Sequence, residues 1–234
     1  MVIKLDLRFT FNEVPGEYDK WRPGYVPELY VDIENYSRLD QESKVLEIGI
    51  GTGQATQPIL NTKCSLTAVE LGADLAVYTK YKFRDFNNFR IENTSFEDYE
   101  CSDNTFDLVY SASAFHWIPE EIGYRKVHRL LKSGGTFARF ANHPYRDKEN
   151  DALHESVQEV YTKYMPGNVL PPEHTKEDSK KNAETAKRYG FSDVRYTLYH
   201  RKRAYDAQNY AALSVLIPIT GPWAKRRWIY LQRK

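Results

Sequence analysis

A glycine-rich turn between an apolar strand and a helix constrains the fold most strongly. The segment Lys44–Ile48 has the pattern of a buried strand, and glycines follow it at every second position, at Gly49, Gly51 and Gly53. A helix is predicted near Gln54–Asn61. Glycines let a ligand approach the backbone closely, and the free N–H groups of a helix N-terminus attract polar ligand groups. The pattern therefore predicts a nucleotide-type binding turn at the end of a buried strand.

Predicted strands and helices alternate from this turn to about residue 141. Strands are predicted at Ser65–Glu70, Arg90–Glu92, Phe106–Ser111 and Thr136–Phe140, and helices at Gly72–Tyr81 and Pro119–Lys132. Gly134 and Gly135 are expected to end the second helix. Such alternation implies a parallel sheet with right-handed helical crossovers, which assigns the chain to the α/β class.

The composition argues against several classes of protein. Among 234 residues, 33 Lys and Arg balance 32 Asp and Glu, which argues against a nucleic-acid coat. Two cysteines, Cys64 and Cys101, cannot form a disulfide framework and indicate a reducing cytosol. The sequence shows no apolar run of membrane-spanning length, no secretory leader pattern and no His or Cys spacing typical of a metal site. We therefore expect a cytoplasmic protein with no metal, no membrane partner and no nucleic-acid partner.

Two nucleotide cofactors compete for the glycine turn. A dinucleotide site has the spacing Gly-x-Gly-x-x-Gly, but Gln54 stands where its third glycine would fall, and the third glycine is Gly53. An acid, Glu47, precedes the first glycine by two residues. This Glu-x-Gly-x-Gly-x-Gly pattern resembles the first motif of class I methyltransferases that depend on S-adenosylmethionine (SAM). Glu70, at the end of the second strand, suits either ligand because its carboxylate can accept both ribose hydroxyls.

Three further segments carry the same resemblance. Thr94–Asp98 is similar to the family's adenine-binding turn, and Ser111–Ile118 to the segment after the fourth strand in small-molecule methyltransferases such as the trans-aconitate type. Tyr18–Tyr25 resembles the Tyr…Arg-Pro-x-Tyr segment that caps SAM in that subgroup. The resemblance covers about residues 9–215. It implies a Rossmann-like, doubly wound, mostly parallel sheet of the class I methyltransferase fold, with a helical N-terminal cap and a helical insertion before the late strands.

The resemblance also implies roles for individual residues. Glu47 is assigned to the amino-acid or ribose end of SAM, Glu70 to the ribose, Phe96 to adenine and Ser111 to the methionine end. Ser95 stands where relatives often have Asp. The full set of expected cofactor-binding residues is Tyr18, Arg22, Glu47, Gly49, Gly51, Gly53, Glu70, Leu71, Ser95, Phe96 and Ser111.

His116 is the candidate catalytic residue. It follows the strand end that is expected to face the methyl group, and near neutral pH a histidine can take a proton from a hydroxyl. The sequence leaves open that His116 and Trp117 instead orient the substrate or pack. A carboxylate acceptor would need no base. The other five histidines are expected to be structural or solvent-facing.

Four segments describe the expected organisation of the chain. Residues 1–42 form an N-terminal cap, 43–141 the SAM-binding Rossmann-like core, 142–190 a helical insertion or lid, and 191–234 the late strand or strands with an atypical C-terminal tail. Helices are predicted at Pro27–Tyr36, Lys148–Tyr164 and Lys176–Tyr189, and a late strand at Asp193–His200. The helices of the insertion have an alternative role, which is only to cover the sheet.

The expected function is methyl transfer from SAM to a small-molecule acceptor, at an oxygen, carbon or nitrogen atom, by a monomer or homodimer. A catalytically silent SAM-binding protein, acting as a sensor or partner subunit, is the alternative. An NAD-dependent oxidoreductase is a third hypothesis, which Gln54 disfavours.

Overall fold

The described part of the computed structural model comprises residue 12 and residues 15–143, 151–164 and 173–210. Within it, strands and helices follow one another in chain order, with a short 3₁₀ helix at Phe115–Trp117 between β4 and α5. The elements are α1 (Pro15–Trp21), α2 (Pro27–Ser37), β1 (Lys44–Ile48), α3 (Thr56–Leu60), β2 (Ser65–Glu70), α4 (Ala73–Lys82), β3 (Phe89–Asn93), β4 (Phe106–Ala112), α5 (Glu120–Leu130), β5 (Leu131–Phe140), α6 (Asp151–Tyr164) and α7 (Lys176–Arg188).

The five strands form one sheet in the order β3-β2-β1-β4-β5, and every pair is parallel. The chain winds from β1 outward to β3 and then returns to the other side of β1 at β4. A crevice therefore opens between the carboxyl ends of β1 and β4, where α/β sheets of this kind bind ligands. The predicted α/β class and the Rossmann-like parallel sheet are confirmed.

Apolar layers cover both faces of the sheet, because neighbouring strand residues point to opposite faces. One layer joins the strands to α2 and α3 through Val45, Leu66, Leu108, Ile33, Ile59 and Leu60. The opposite layer joins them to α5 through Leu46, Ile48, Val109, Tyr124, Val127 and Leu130. The uninterrupted burial of β1 from Val45 to Ile48 follows from this coverage of both faces.

The start of β5 differs from the prediction of a helix up to Lys132. Helix α5 ends at Leu130, and β5 begins at Leu131 and runs through both glycines. The pairing with β4 shifts register between Phe106 and Leu108. A Cβ atom on Gly135 would lie 2.9 Å from the carbonyl oxygen of Lys132. The glycines therefore allow an irregularity inside β5 and do not end the helix.

The late strand predicted at Asp193–His200 is wrong. In the described residues no strand follows β5, and residues 191–206 have no regular structure. The segment contacts α2 through side chains, for example where the Tyr36 hydroxyl donates to the carbonyl of Asp193. Tyr196 and Leu198 are 50% and 37% exposed, so the alternating pattern does not mark a buried strand face.

Helices α6 and α7 lie in the predicted insertion. A capping box begins α7, where Thr175 and Asp178 exchange hydrogen bonds, and just beyond its C-terminal end the Tyr189 ring stacks on Tyr124 of α5 at 5.0 Å. Helix α7 therefore packs on the α5 side of the sheet.

No helix in the described ranges has the length and apolar character needed to cross a membrane. Residues 211–234, including most of the atypical tail, lie outside the described residues.

Candidate active site

A pocket opens over the crevice between β1 and β4, at the carboxyl ends of β1, β2 and β4. Apolar residues including Ile48, Val69 and Leu75 form part of its wall. Nine of the twelve predicted site residues line it: Tyr18, Arg22, Gly49, Gly51, Glu70, Leu71, Ser95, Phe96 and His116. The remaining three, Glu47, Gly53 and Ser111, are not among the residues that line it.

Gly51 and Gly53 serve different purposes in the glycine turn. Both have positive φ, 57° and 79°, which favours glycine at each position. A Cβ atom on Gly51 would meet only the Tyr18 ring, at 3.8 Å, so the backbone there is open towards the pocket. A Cβ atom on Gly53 would lie 2.3 Å from the ring of Phe83. Gly51 therefore leaves room for a ligand, whereas Gly53 leaves room for the protein's own core.

Glu70 joins the glycine turn to the start of α4. Its Oε2 accepts a hydrogen bond from the N–H of Gly51 and its Oε1 from that of Gly72, both at 2.8 Å. Burial raises the pKa of Glu70, and the backbone N–H donors oppose that rise. A carboxylate has about four acceptor positions. Glu70 can therefore hold the turn and still accept hydrogen bonds from ligand hydroxyls.

Glu47 lies behind the pocket and is only 1% exposed. Its Oε2 accepts hydrogen bonds from the hydroxyls of Thr56, at 2.7 Å, and Tyr110, at 2.6 Å, while its Oε1 has no partner in the described part of the chain. Burial raises the pKa of Glu47 to about 7, although both hydrogen bonds lower it. Ile48 lines the pocket, so its strand neighbour Glu47 points to the other face. This placement does not support a direct contact between Glu47 and a cofactor.

Ser111 is also buried behind the pocket. Its hydroxyl donates to the carbonyl of Ile48 at 3.0 Å, which ties β4 to the end of β1. The geometry therefore does not support the predicted contact between Ser111 and the methionine end of SAM.

Helix α1 brings Tyr18 and Arg22 to the pocket, with the guanidinium 5.7 Å from the centre of the Tyr18 ring. The neighbouring carboxylate of Asp19 accepts hydrogen bonds from Lys82, at 2.6 Å, and from the hydroxyl of Tyr78, at 3.0 Å. Both donors lie on α4. Asp19 therefore attaches α1 to α4.

The turn Thr94–Glu97 forms another part of the wall. The Ser95 hydroxyl donates to the carboxylate of Asp98 at 2.6 Å and accepts from its backbone N–H at 3.0 Å. Ser95 is therefore engaged within the turn itself. From outside the turn, the ammonium of Lys126 donates to the carbonyl of Glu97 at 2.9 Å.

The segment after β4 carries His116 and Trp117, whose rings lie 4.7 Å apart in the pocket wall. Ser113, with a positive φ of 59°, also lines the pocket and shares a 2.8 Å hydrogen bond with the hydroxyl of Tyr25. The loop before α2 is therefore joined to the segment that carries His116.

Positive groups gather around His116. Burial lowers the pKa of His116, and so do the nearby charges of Arg139, Arg22 and His143. Arg139 donates to the Tyr124 hydroxyl at 2.9 Å, and among the described residues neither Arg139 nor Arg22 forms an ion pair with a carboxylate. Two guanidinium groups without acidic partners favour an anionic ligand group.

Two stacked imidazole rings lie near these positive groups. The rings of His143 and His174 stack at 4.2 Å. The pKa of His143 is lowered by burial, by His174 and by Arg139, while Asp178 raises it. We name Arg22, His116, Arg139, His143 and His174 the cationic cluster.

Sequence reasoning missed Asp19, Lys126, Arg139, His143 and His174. The expectation that the other histidines are structural or solvent-facing overlooked the two that belong to the cationic cluster. These residues lie in separate segments with no characteristic spacing, so no sequence pattern could have found them.

The chain resembles known methyltransferases in sequence. A family model described as a methyltransferase domain matches residues 45–135. An uncharacterized methyltransferase of Schizosaccharomyces pombe is 25% identical over 201 residues, which is 86% of this chain and 75% of the relative. A malonyl-[acyl-carrier protein] O-methyltransferase of a Paenibacillus species is 33% identical over 135 residues, 53% of this chain and 46% of the relative. The chain thus spans three quarters of one relative and about half the length of several others.

Solved structures share the fold. A putative SAM-dependent methyltransferase of Methanococcus maripaludis superposes with a TM-score of 0.56 at 18% identity, covering 82% of this chain and 87% of that one. A phosphoethanolamine N-methyltransferase of Haemonchus contortus, solved with SAM, has a TM-score of 0.54 at 18% identity and covers 78% of this chain and 42% of that one. The solved structures share the fold of this chain, and the matched methyltransferase domain and the methyltransferase relatives support a SAM-dependent methyltransferase with SAM as its cofactor.

Proposed function

We propose that the protein transfers a methyl group from SAM to a small-molecule acceptor that carries a negative charge. The observation that carries this proposal is that eight of the eleven predicted cofactor residues line the same pocket as His116, which belongs to the cationic cluster. Its resemblance to the trans-aconitate type agrees with an acceptor of that size and charge.

Within this proposal each part of the wall binds one part of the cofactor. Glu70 accepts the ribose hydroxyls, with Leu71 beside it, and Phe96 and Ser95 flank the adenine. Gly51 allows the cofactor to approach the backbone, whereas Gly49, where a Cβ atom would lie 2.5 Å from that of Ala114, leaves room for the segment after β4. Tyr18 and Arg22 cover the methionine end, where the guanidinium has no acidic partner among the described residues and suits a carboxylate. The open Cβ position at Gly51 supports this fit.

SAM bound in this pocket supplies an activated methyl group on a cationic sulfonium. The protein's own contribution is to hold the acceptor near that methyl group, where orientation alone can lower the barrier by roughly 7–11 kcal/mol. His116 and Trp117 form the wall at which the acceptor docks. Because the pKa of His116 is lowered, its imidazole is neutral near pH 7 and can accept a proton from a hydroxyl acceptor. A carboxylate acceptor would need only the positioning.

The charges of Arg139 and His143 act on His116, so we assign these two residues to attract an anionic group of the acceptor. We assign residues 1–42 to a cap over the cofactor and 142–190 to a lid over the acceptor. The His143–His174 contact, which joins the region after β5 to the start of α7, supports the second assignment. The protein is proposed to act as a monomer or homodimer.

Thermal unfolding of the full chain with SAM, S-adenosylhomocysteine and NAD in parallel tests the cofactor site. A ligand at 100 times its Kd adds roughly 2.7 kcal/mol to the unfolding free energy. We expect the two adenosyl compounds to raise the melting temperature and NAD to leave it unchanged. A shift with NAD alone would support the oxidoreductase hypothesis instead.

Formation of S-adenosylhomocysteine with a panel of carboxylic acids, phosphate monoesters and their neutral amides or esters then tests the acceptor. We expect turnover with an anion and none with its neutral analogue. SAM binding without turnover anywhere in the panel would favour the catalytically silent alternative, which the comparisons with known proteins do not favour.

A further inference from the structure

Lys126 is a buried lysine beside the pocket that the proposed chemistry does not use. It lies on α5 and is only 8% exposed. Burying an ammonium group is costly unless other groups compensate its charge. The groups around its Nζ therefore indicate what the residue is for.

Among the described residues, the polar and aromatic partners of Lys126 belong to one short segment, residues 96–100. Its ammonium donates to the carbonyl of Glu97 at 2.9 Å and lies 5.4 Å from the centre of the Phe96 ring. It also lies 3.8 Å from the carboxylate of Glu100, whose side chain is 77% exposed. An ion pair with so exposed a partner contributes little. The carbonyl and the aromatic ring are the contacts that matter.

The same segment forms the pocket wall at Thr94–Glu97. Local hydrogen bonds shape this turn, for example from the N–H of Tyr99 to the carbonyl of Ser95 at 3.0 Å. Lys126 instead reaches it from α5, whose Val127 and Leu130 are fully buried in the core. The lysine therefore connects the wall of the pocket to the rigid body of the fold.

We propose that Lys126 is a positioning residue that fixes the turn Thr94–Glu97 for the adenine of the cofactor. This inference rests on the proposed function, in which Phe96 and Ser95 flank that ring. Lys126 does not line the pocket, so it acts through Phe96 and Glu97. Holding the turn in its binding conformation removes an ordering cost that the cofactor would otherwise meet on binding.

Calorimetric titration of Lys126→Met and Lys126→Arg with SAM tests this role. Methionine keeps the apolar stem and loses the ammonium, whereas arginine keeps the charge and the donors. We expect the Kd for SAM to rise about tenfold in K126M and to stay within about threefold of the wild-type value in K126R. 5′-Methylthioadenosine has the adenosyl group but no amino-acid part. Its Kd should rise in K126M by the same factor as the Kd for SAM.

Lys132→Met is the matched control. Lys132 lies 2.8 Å from both carboxylate oxygens of Asp107 and does not line the pocket. Its loss should lower the melting temperature and leave the Kd for SAM unchanged. A purely structural lysine at 126 would give this same result.

The outcomes separate the inference from the function on which it rests. A wild-type protein that does not bind SAM overturns both, whereas equal binding by wild type and K126M overturns the positioning role alone. A rise in Kd that K126R does not reverse also contradicts it. If K126M does not fold, Lys126→Leu replaces it, because leucine keeps part of the apolar stem and donates no hydrogen bond to the Glu97 carbonyl. An unchanged SAM affinity in K126L would contradict the proposal.

Discussion

The two sides of the pocket are built in different ways. On the cofactor side, the glycine turn at 49–53 and Glu70 follow consecutive strands, and backbone N–H groups hold the Glu70 carboxylate. On the acceptor side, the members of the cationic cluster other than Arg22 come from the segment after β4, from β5 and the residues that follow it, and from the start of α7. One side is therefore defined by backbone geometry that a short motif encodes, and the other by tertiary packing.

This difference predicts that mutations on the two sides will have separable effects. Changes around the glycine turn should alter cofactor affinity, and changes in the cationic cluster other than at Arg22 should alter acceptor affinity at constant cofactor binding.

The largest effect is expected for Glu70→Ala. The variant removes the proposed acceptor for the ribose hydroxyls and also frees the N–H groups of Gly51 and Gly72. Losing hydrogen bonds to a charged group should raise the Kd for SAM roughly 10- to 100-fold, measured by calorimetric titration. Glu92→Ala, at an exposed position of β3, is the matched control and should bind SAM normally. Unchanged affinity in E70A would refute the ribose assignment.

Arg139→Gln should have the next largest effect, and on the other ligand. We expect the S-adenosylhomocysteine-loaded variant to bind citrate or inorganic phosphate about tenfold more weakly, because a charge-assisted hydrogen bond is lost. Its Kd for SAM should stay within about twofold. Comparing the two anions also indicates whether the site prefers carboxylate or phosphate.

Arg129→Gln provides the control for a lost guanidinium. Arg129 pairs with Asp103 at 2.8 Å on the exposed side of α5. This variant should bind both anions normally. If R139Q instead loses SAM and anion affinity together, the two sides of the pocket are not independent.

The sequence indicates the residues that line the cofactor side of the pocket for a physical reason. Positive φ at Gly51 and a carboxylate at the end of β2 are local requirements, so they are visible as residue types at fixed spacing. Local patterns do not show how a side chain packs. Strand alternation turns Glu47 away from the pocket, so the structure does not support its predicted cofactor contact. The strand predicted at Asp193–His200 is wrong, because this segment pairs with no strand among the described residues.

The acceptor side could not be predicted in this way. Arg139 and His174 are 35 residues apart in sequence, and they approach His143 only because of where β5 ends and where α7 begins. Lys126 has an ordinary amphipathic position on α5, and only the packed turn beneath it gives it a role. Side chains that act together across such distances leave no spacing to detect.

His143→Gln should have a smaller effect that appears as a change in pH dependence. Burial lowers the pKa values of both His116 and His143, and so does the charge of Arg139. Arg22 lowers the pKa of His116 further. His174 lowers the pKa of His143, whereas Asp178 raises it. Both imidazoles are therefore neutral at pH 7, and a bound anion favours their protonation.

The affinity for an anion should consequently rise as the pH falls. With sulfate as the probe, whose charge is constant in this range, we expect the wild-type protein to bind about threefold more tightly at pH 5.5 than at pH 7. H143Q should reduce this slope, while His128→Gln, at a position that packs against Phe191, should not. A wild-type affinity that is independent of pH would exclude the imidazoles from the anion site.

The smallest effect on binding is expected for Glu47→Gln. This variant tests whether Glu47 contacts the cofactor or only supports the fold behind the pocket. The Glu47 carboxylate accepts hydrogen bonds from Thr56 and Tyr110 behind the pocket, so the Kd for SAM should stay within about twofold of the wild-type value.

Glu47→Gln should instead change how the stability of the protein depends on pH. Because the folded pKa is raised to about 7, the stabilising protonated form is complete below the unfolded value of 4.5 and is lost as the pH rises through 7. The unfolding free energy of the wild type should therefore fall by up to about 3 kcal/mol between pH 4.5 and 8, measured by denaturant titration. The fall should be smaller in E47Q, where only groups such as Glu70 still contribute, and Glu42→Gln, at an exposed position, should retain it in full. A tenfold loss of SAM affinity in E47Q would place Glu47 back on the cofactor side, as its sequence motif alone predicts.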